Sequence, residues 1–504
     1  CYLMAKQLQS IAIQAPGFFG LNTQDSPTSL SEQFALVADN CVIDQFGRIG
    51  ARKGWDYITT TNGTGTNLVH ISEFIKSDGT TEVISASASN IYEGTTTLTD
   101  ITPASYTVSD GNFDSANLNG VIYLFREGSD PVYYDGTTCD EVSAHADYSG
   151  TVPSGDIVQS GFGRLWVAKT TTDNTTIYWS DLLTGFKWDT GSSGSIDVSK
   201  VWPNGNDEIT ALGVHNNLLF IFGKTQILVY QGADDPATMS LADTIVGVGC
   251  IARDSIQTTG TDLIFLSDTG IRSLNRTIQE KSAPMRDIST NVRTELTALV
   301  ASETGRIYSV YSPEEAFYLL HLEDNGVTFA FDMRAPLENG AHRVTRWTNI
   351  TPNCLCRLRD GTLLLGKSDG IADYEGFSDN GSTYIMSYFT NYIDFGAPSN
   401  LKLLKNLKVT IIGGSDTQAT LNWGYDYSYA YRKKTFTLAE QIIAEYNIAE
   451  YNIGEFNAGV LVNRPQVNAS GGGQVVQLGI ESEINGSTVS IQRMTAQAIV
   501  GRTI

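Results

Sequence analysis

Short apolar segments recur along the middle of the chain. Each is followed by a polar turn and by a second apolar segment that ends in an aromatic residue and often a glycine. The clearest copies span 121–136 and 218–232; further copies lie at 263–271 and 363–376, and weaker ones at 82–94, 164–181 and 317–332. Apolar runs of four to eight residues between such turns are typical of β-strands. The pattern therefore predicts an all-β chain made of repeated hairpins.

The spacing of these copies indicates how the hairpins are arranged. The copies end near residues 94, 136, 181, 232, 275, 332 and 376. A period of about 40–50 residues with four short strands per unit is typical of a β-propeller, in which neighbouring blades cover each other's faces. We predict a propeller of six or seven blades over residues 61–395. Two successive β-sandwiches are the alternative, because the gaps between successive copies are uneven and this weakens the case for blades arranged around one axis.

The flanking segments have a different character. Residues 1–60 are predicted to form an N-terminal arm and the first strands. Residues 396–504 are predicted to form a separate β-sandwich-like domain, because apolar and polar residues alternate from Leu407 to Ile411 and again over 474–480. Within this domain, three similar segments repeat every five residues over 445–458. Five matches neither the helix nor the strand period, so an irregular exposed loop is expected there.

Helical patterns are few. Apolar residues at helical spacing between 288 and 300, preceded by two candidate capping residues, predict one helix. Ser29 with Glu32 forms a possible capping box and predicts a second, short helix that carries Phe34 and Val37. We interpret both helices as packing elements.

Charge narrows the possible functions. The 504 residues include 33 basic and 55 acidic side chains, a net charge of −22, and 41% of the residues are hydrophobic. Such acidity disfavours a nucleic-acid reader, since phosphate affinity needs clustered Lys and Arg. No apolar run reaches the roughly 18–20 residues of a membrane-spanning helix. Residues 61–160 contain fourteen acids against Lys76 and Arg126. Such a bias usually means solvated loops. As a functional feature, a wall of this charge repels DNA phosphate, which suits a channel that does not bind the DNA passing through it.

The cysteines and histidines do not form a metal-binding pattern. None of the six cysteines belongs to a C-x-x-C pair, and no two of the five histidines stand three or four residues apart. Cys354 and Cys356 would lie on one face of a strand, which suits packing better than tetrahedral coordination. We therefore predict no metal site.

Three short motifs resemble catalytic or cofactor signatures but lack a required part. The segment 247–252 matches G-x-G-x-x-A, yet strand and turn follow it where a helix is needed to bind pyrophosphate. The segment 222–225 ends like a phosphate-binding loop without its first glycine. The triplet at 268–270 resembles half of an aspartic-protease pair, and no second triplet lies in a similar frame. We predict no catalytic residue, no cofactor and no enzymatic activity.

Several sequence blocks resemble a known family. The chain contains Gly20-Leu-Asn-Thr-Gln-Asp-Ser-Pro27, then Asn40, then Gly47-Arg-Ile-Gly-Ala-Arg-Lys-Gly-Trp55. These blocks resemble the opening of the tail nozzle (tail tubular protein B-like) and packaged-DNA-stabilisation proteins of short-tailed bacteriophages. The blocks 162–168, 177–182, 249–255 and 472–478 are also similar to that family. Lys53 stands where the family's R-P-G turn has proline, which leaves the subfamily open.

The resemblance implies a structural virion protein in the phage tail. Such a subunit would form a ring, expected to be a hexamer, below the portal and the tail adaptor protein, and would contact tail fibre or spike proteins. The ring would form the lower tail channel, retain packaged DNA and allow its ejection, with DNA passing through the lumen without specific binding. Subunit contacts in such a ring are heterologous and close by rotation.

Six cations are candidate contact residues. We expect the first group to face the adaptor and the second to pair with an acidic neighbour; the groups are Arg48, Arg52 and Lys53, and Lys402, Lys405 and Lys408. The alternative for each is an ordinary solvated cation.

A glycan-binding or glycan-cleaving propeller, on a phage tail or in a secreted protein, is the alternative function. It is suggested by tyrosine-rich loops and by Trp55, Trp166, Trp179 and Trp188. Aromatic rings stack on sugars, but aromatics that end blade strands are more often part of the core. The first residues carry no secretion-signal pattern, which disfavours a secreted propeller.

Overall fold

Strands from the beginning and the end of the chain lie side by side. The computed structural model describes residues 8–280, 287–439 and 461–503, and the repeat at 445–458 lies outside them. The first five strands are β1 (Leu8–Gln14), β2 (Gly20–Leu21), β3 (Phe34–Asp39), β4 (Cys41–Ile43) and β5 (Ile49–Ala51). The helix predicted from Ser29 is wrong. Phe34 and Val37 lie on β3, which pairs with β2 and is buried at Ala35 and Ala38.

The middle of the chain forms small antiparallel sheets in sequence order. After β6 (Asp56–Tyr57), the first four sheets are β7–β10 (His70–Ile75, Thr81–Ala86, Ile91–Glu93, Thr99–Asp100), β11–β14 (Asp114–Leu118, Val121–Phe125, Val132–Tyr134, Cys139–Glu141), β15–β18 (Gly155–Gly161, Arg164–Thr170, Asp173–Trp179, Gly194–Asp197) and β19–β22 (Ile209–His215, Leu218–Gly223, Gln226–Gln231, Ser240–Val246). The remaining sheets are the three-stranded β23–β25 (Gln257–Thr258, Leu263–Ser267, Gly270–Ser273), then β26–β29 (Ile307–Ser312, Phe317–Leu322, Val327–Asp332, Arg343–Trp347) and β30–β32 (Cys354–Arg357, Leu363–Lys367, Gly370–Asp373).

These sheets close into a ring, which confirms the predicted propeller. The first strands of neighbouring sheets are in contact from β7 through β11 and β15 to β19, and again from β23 through β26 to β30, which returns to β7. Between β19 and β23, strand β19 contacts the 3-10 turn Arg253–Ser255 that leads into β23. Strand β6 completes the last blade by pairing with β32, with Tyr57 opposite Ala372 and Asp56 opposite Asp373. The ring therefore has six four-stranded blades, with the shorter sheet β23–β25 between the fourth and fifth of them. The alternative of two successive sandwiches in this region is wrong.

Apolar side chains between adjacent blades form the propeller core. Trp166 and Trp179 of the third blade pack with Leu212, Ile221 and Leu228 of the fourth. Similar clusters fill the other blade junctions. A single four-stranded blade cannot bury both of its faces, so this mutual covering is what stabilises the ring.

The described parts of the chain contain two α-helices, α1 (Leu274–Glu280) and α2 (Arg293–Ser302), which contact the shorter sheet β23–β25, the short blade. They also contain the 3-10 turns Val142–Ala144, Arg253–Ser255 and Thr290–Val292. Helix α2 confirms the helix predicted between 288 and 300, and it buries Leu296 as the apolar spacing requires.

The chain leaves the propeller to form a two-sheet sandwich. Its remaining strands are β33 (Tyr384–Thr390), β34 (Asn400–Gly413), β35 (Gln418–Tyr425), β36 (Arg432–Thr437), β37 (Val462–Asn463), β38 (Gln466–Val467), β39 (Gly472–Gly473), β40 (Val476–Ile484) and β41 (Val489–Thr503). One sheet contains β34 and β41 together with β1, β4, β5 and β37–β39. The other joins β33, β40, β35 and β36 through β3 and β2 to the blade β26–β29. The predicted C-terminal sandwich is therefore present.

The predicted boundaries at both ends of the propeller need correction. Residues 8–51 do not form a separate arm, since β1 pairs along its whole length with β41, from Leu8 opposite Ile499 to Gln14 opposite Arg493. Strand β33 belongs to the sandwich, so the last propeller strand ends at Asp373 and not near residue 395. The sandwich is thus built from both ends of the chain.

Candidate functional site

Arg52 lies inside the protein and is not available to an adaptor, so its predicted partner contact is wrong. Its side chain is fully buried, and its guanidinium makes two parallel bonds to Asp379, from Nη1 to Oδ1 at 2.8 Å and from Nη2 to Oδ2 at 2.7 Å. The Arg52 Nε donates to Asn40 Oδ1 at 3.2 Å, and the guanidinium lies 4.1 Å from the ring centre of Tyr384. Arg52 therefore joins the N-terminal hairpin to the segment that links propeller and sandwich.

The two cations beside Arg52 are closer to the surface. The Lys53 Nζ lies 2.5 Å from Glu315 Oε1, and both side chains are about one-third exposed. Arg48 donates from Nε to Asp44 Oδ2 at 2.6 Å and covers the exposed ring of Phe46 at 4.3 Å. Both cations are already paired within the chain. A partner contact at Lys53 or Arg48 stays a prediction.

The three lysines of β34 do not share one face. Lys402 is buried and donates to the carbonyl of Ala397, so the predicted contact with an acidic neighbour is wrong for this residue. Burial lowers the pKa of Lys402, and the carboxylates of Asp394 and Asp426 oppose that shift. Lys405 and Lys408 are exposed. A register shift between Leu404 and Asn406 separates the inward position of Lys402 from these two outward ones.

The centre of the propeller encloses a polar cavity of about 560 Å³. Its wall includes residues from the innermost segment of every sheet in the ring, among them His70, Asp114, Asp254 and Arg306. Cavities of this size lie within the usual range for small-molecule sites. The axis of the ring is therefore a concave site to which every sheet of the ring contributes.

An ion-pair network crosses this axis. Arg253, in the 3-10 turn before the short blade, donates from Nη1 to Asp156 Oδ1 at 2.8 Å and from Nε to Asp254 Oδ1 at 2.8 Å. Asp156 also accepts from Lys169 Nζ at 2.7 Å, and Arg306 Nη2 lies 3.7 Å from Asp254 Oδ2. The charges in the cavity thus stabilise one another and join the third blade to the turn before β23 and to Arg306 just before β26.

Burial and these charges shift the pKa values of the axial residues. Burial raises the pKa of Asp114 to about 7, although Arg253 opposes the shift. Burial, assisted by Arg306, lowers the pKa of His70 to about 3. Burial alone would raise the pKa of Asp254, but Arg253 and Arg306 hold it below its ordinary value. The cavity therefore contains a neutral histidine and an aspartate that titrates near neutrality.

Neither a metal-binding cluster nor a membrane-spanning helix is present among the residues that the structure describes. Within residues 8–280, 287–439 and 461–503, no group of three His, Cys, Asp or Glu side chains is placed to hold a metal ion. Cys354 and Cys356 both lie on β30, and burial raises the pKa of each thiol to about 12, which keeps them protonated. Among those same residues, no helix is long and apolar enough to cross a bilayer.

The sequence motifs identified some of these positions without indicating their roles. Arg52 and Asn40 belong to the N-terminal blocks, and Arg253 and Asp254 belong to the block 249–255. Their partners were missed, because Asp379 is 327 residues from Arg52 and Asp156 is 97 residues from Arg253. No sequence signal links residues at such separations.

Comparison with known proteins bears on the fold alone. No protein-family model and no curated protein matches the chain. Among solved structures, the chain is similar to the extracellular domain of a one-component system from B. thetaiotaomicron, at 10% identity and a TM-score of 0.41, over 67% of this chain and 45% of that one. It is also similar to streptogramin B lyase (12% identity, TM-score 0.37, 64% and 97% covered) and to the WD40 β-propeller domain of Doa1 (13%, 0.35, 64% and 96%). Nothing about function follows from these similarities.

Removing the Arg52 guanidinium should destabilise the protein strongly. Arg52→Ala leaves the Asp379 carboxylate largely buried without its partner, and such a loss costs about 3–5 kcal/mol. Urea unfolding followed by tryptophan fluorescence measures the change. Lys53→Ala is the matched control, because its pair with Glu315 is partly exposed and contributes less than ~1 kcal/mol. Equal, small effects of the two changes would contradict a structural role for Arg52.

The raised pKa of Asp114 predicts a pH-dependent stability. Between about pH 4 and pH 7 the folded state binds the Asp114 proton and the unfolded state does not, so this group's contribution to stability falls as pH rises. His70 acts in the opposite sense between about pH 3 and 6.5, because only the unfolded state binds its proton there.

The substitution Asp114→Asn removes only the pH dependence that Asp114 contributes and leaves that of His70 in place. The unfolding free energy of this variant, relative to the parent, should therefore rise by ~2–3 kcal/mol between pH 5 and pH 8. Urea titrations at the two pH values measure it. Asp130→Asn, at an exposed aspartate, is the control and should leave the pH profile unchanged. A parallel profile for Asp114→Asn would show that Asp114 is ionised throughout.

Proposed function

We propose that the chain is a structural subunit of the tail nozzle of a short-tailed bacteriophage, and therefore a virion protein. Copies of it would form a ring, expected to be a hexamer, that continues the channel below the tail adaptor and contacts tail fibre or spike proteins. The ring would retain packaged DNA and release it on infection, without specific DNA binding and without an enzymatic step.

The observation that carries the proposal is the placement of the motif residues. Asn40 and Arg52, from the blocks that resemble nozzle proteins, lie at the joint between the propeller and the sandwich. Arg253, from another such block, bonds to Asp156 of the third blade, and its neighbour Asp254 lies beside Arg306. Residues that join separate parts of the fold in this way keep its shape rigid. A subunit of a ring that retains packaged DNA requires such rigidity. The acidity of blades within 61–160 adds support, since it disfavours adhesion to DNA.

The alternative of a sugar-binding propeller has less support from its tryptophans. Trp166 is fully buried and Trp179 is nearly so, and each packs in the core between blades. Trp55 and Trp188 are partly buried against other core clusters. Buried rings are not available to stack on a saccharide, so the tryptophans themselves give no reason to prefer this function.

The oligomeric state tests the nozzle proposal. Native mass spectrometry and cryo-electron microscopy of the full chain, alone and mixed with its adaptor protein, should give a closed ring with a wide lumen. A chain that stays monomeric both alone and with the adaptor, or an open helical polymer, would contradict the proposal.

The exposed lysines of β34 provide a sharper prediction. Lys405→Glu combined with Lys408→Glu should weaken ring assembly about tenfold, more at low salt, because the variant presents like charge to an acidic neighbour. The midpoint concentration of assembly measures the effect. Lys200→Glu combined with Lys224→Glu is the control, with the same charge change on exposed propeller residues. Equal assembly of the two double variants would reject a contact at β34.

A further inference from the structure

A second concave site lies on the sandwich, away from the propeller axis. We call it the tyrosine cleft; its walls are formed by residues 27–32, 392–398, 426–427 and 474–475, and by Leu401, and it encloses about 600 Å³. Asn391 donates from Nδ2 to the carbonyl of Leu30 at 2.6 Å and thereby connects two of these walls. The cleft is built from the N-terminal segment and the C-terminal sandwich together.

Tyrosine rings form one side of the cleft. The ring centres of Tyr392 and Tyr427 lie 4.4 Å apart at an angle of 55°, so the two rings pack directly against each other at a tilt. Tyr427 is 46% exposed and Tyr429 is 86% exposed. Burial, with the nearby hydroxyls of Tyr431, Tyr429 and Tyr427, raises the pKa of Tyr392 to about 12.

Two residues of the tyrosine cleft adopt a backbone conformation that is unfavourable for non-glycine residues. Asp426 and Tyr427 both adopt the left-handed conformation, with φ of 54° and 59°. That region costs a non-glycine residue about 1 kcal/mol or more, and two such residues in succession are uncommon. Asp426 Oδ1 accepts the backbone N–H groups of Gln474 and Val475, which fixes the turn against the opposite wall.

Carboxylates line the cleft, and no lysine or arginine does so among the described residues. Glu32, Asp394 and Asp426 contribute three negative charges to the wall. Within the described parts of the chain, the Oδ2 atoms of Asp394 and Asp426 accept no hydrogen bond from protein. The buried Lys402 beneath them donates to Ala397 and does not reach the cleft surface.

We propose that the tyrosine cleft binds an organic cation, an alkylammonium or guanidinium group. Electron-rich faces of tyrosine attract a cation placed within about 6 Å, and carboxylates with free lone pairs accept its hydrogen bonds. An anionic ligand would meet three like charges, and a neutral sugar would gain hydrogen bonds from them but not the Coulombic attraction that a cation gains. The proposal is independent of the nozzle proposal, since it needs only this chain.

Isothermal titration calorimetry with the full chain tests the proposal. The probes are spermidine, as a free polyamine, and an Arg-Lys-Lys peptide, as a cation presented by protein; maltotriose is the neutral probe. We expect a Kd of roughly 0.1–1 mM for at least one cation, a value that weakens with added salt. The tighter of the two cationic probes identifies whether the source is a free amine or a protein.

Variants separate the contributions of the tyrosine ring and of the carboxylate charges to cation affinity. Tyr427→Ala should weaken cation binding about 3–30-fold, whereas Tyr427→Phe keeps the ring face and should bind as the parent does. Glu32→Gln combined with Asp394→Asn should weaken binding about tenfold. Asp234→Asn and Tyr57→Phe, outside the cleft, are the controls and should change nothing.

Three results would overturn the proposal. These are no binding of either cation, cation binding that none of the cleft variants changes, and binding of maltotriose with loss of affinity in Tyr427→Phe. The last result would identify a sugar site that depends on the tyrosine hydroxyl. None of these outcomes bears on ring assembly, so the nozzle proposal is tested separately.

Discussion

Ring closure is the constraint from which the rest of the architecture follows. The last blade lacks its outer strand until β6, from near the start of the chain, pairs with β32. The chain therefore enters and leaves the propeller at the same blade. The segments on either side of the propeller must then be neighbours, and the sandwich contains strands from both ends. Its ten-stranded sheet continues into the blade β26–β29, so propeller and sandwich share one hydrogen-bonded sheet.

The features that could be predicted from the sequence are the local ones, whereas the contacts that ring closure creates between distant segments could not be. Hairpin repeats and blade spacing are local, and they predicted the propeller. The apolar spacing between 288 and 300 is also local and predicted α2. The pairing of β1 with β41 joins residues that are almost five hundred positions apart, and no local pattern contains that information. The segment 1–60 consequently looked like a separate arm.

The burial of Arg52 and Lys402 illustrates the same limit at single side chains. Both are cations, and cations are rarely fully buried unless they are paired. The partner of Arg52 is Asp379, which only the folded chain brings within hydrogen-bonding distance. For Lys402 a signal existed, since it lies two residues before the buried Leu404 and thus on the inward face of its strand. The bulge after Leu404 then places Lys405 outward, and this could not be read from alternation alone.

The axial cavity and the tyrosine cleft differ in how their charges are satisfied, and this difference bears on function. In the cavity, Arg253 is bonded to Asp156 and Asp254, so a ligand would have to replace existing ion pairs and incur their desolvation. In the cleft, Asp394 and Asp426 each keep one carboxylate oxygen that accepts no bond from described residues. A donor that binds there exchanges with water and breaks no ion pair of the protein, so its binding carries a smaller cost. The axis is therefore better suited to hold blades together, and the cleft is better suited to bind.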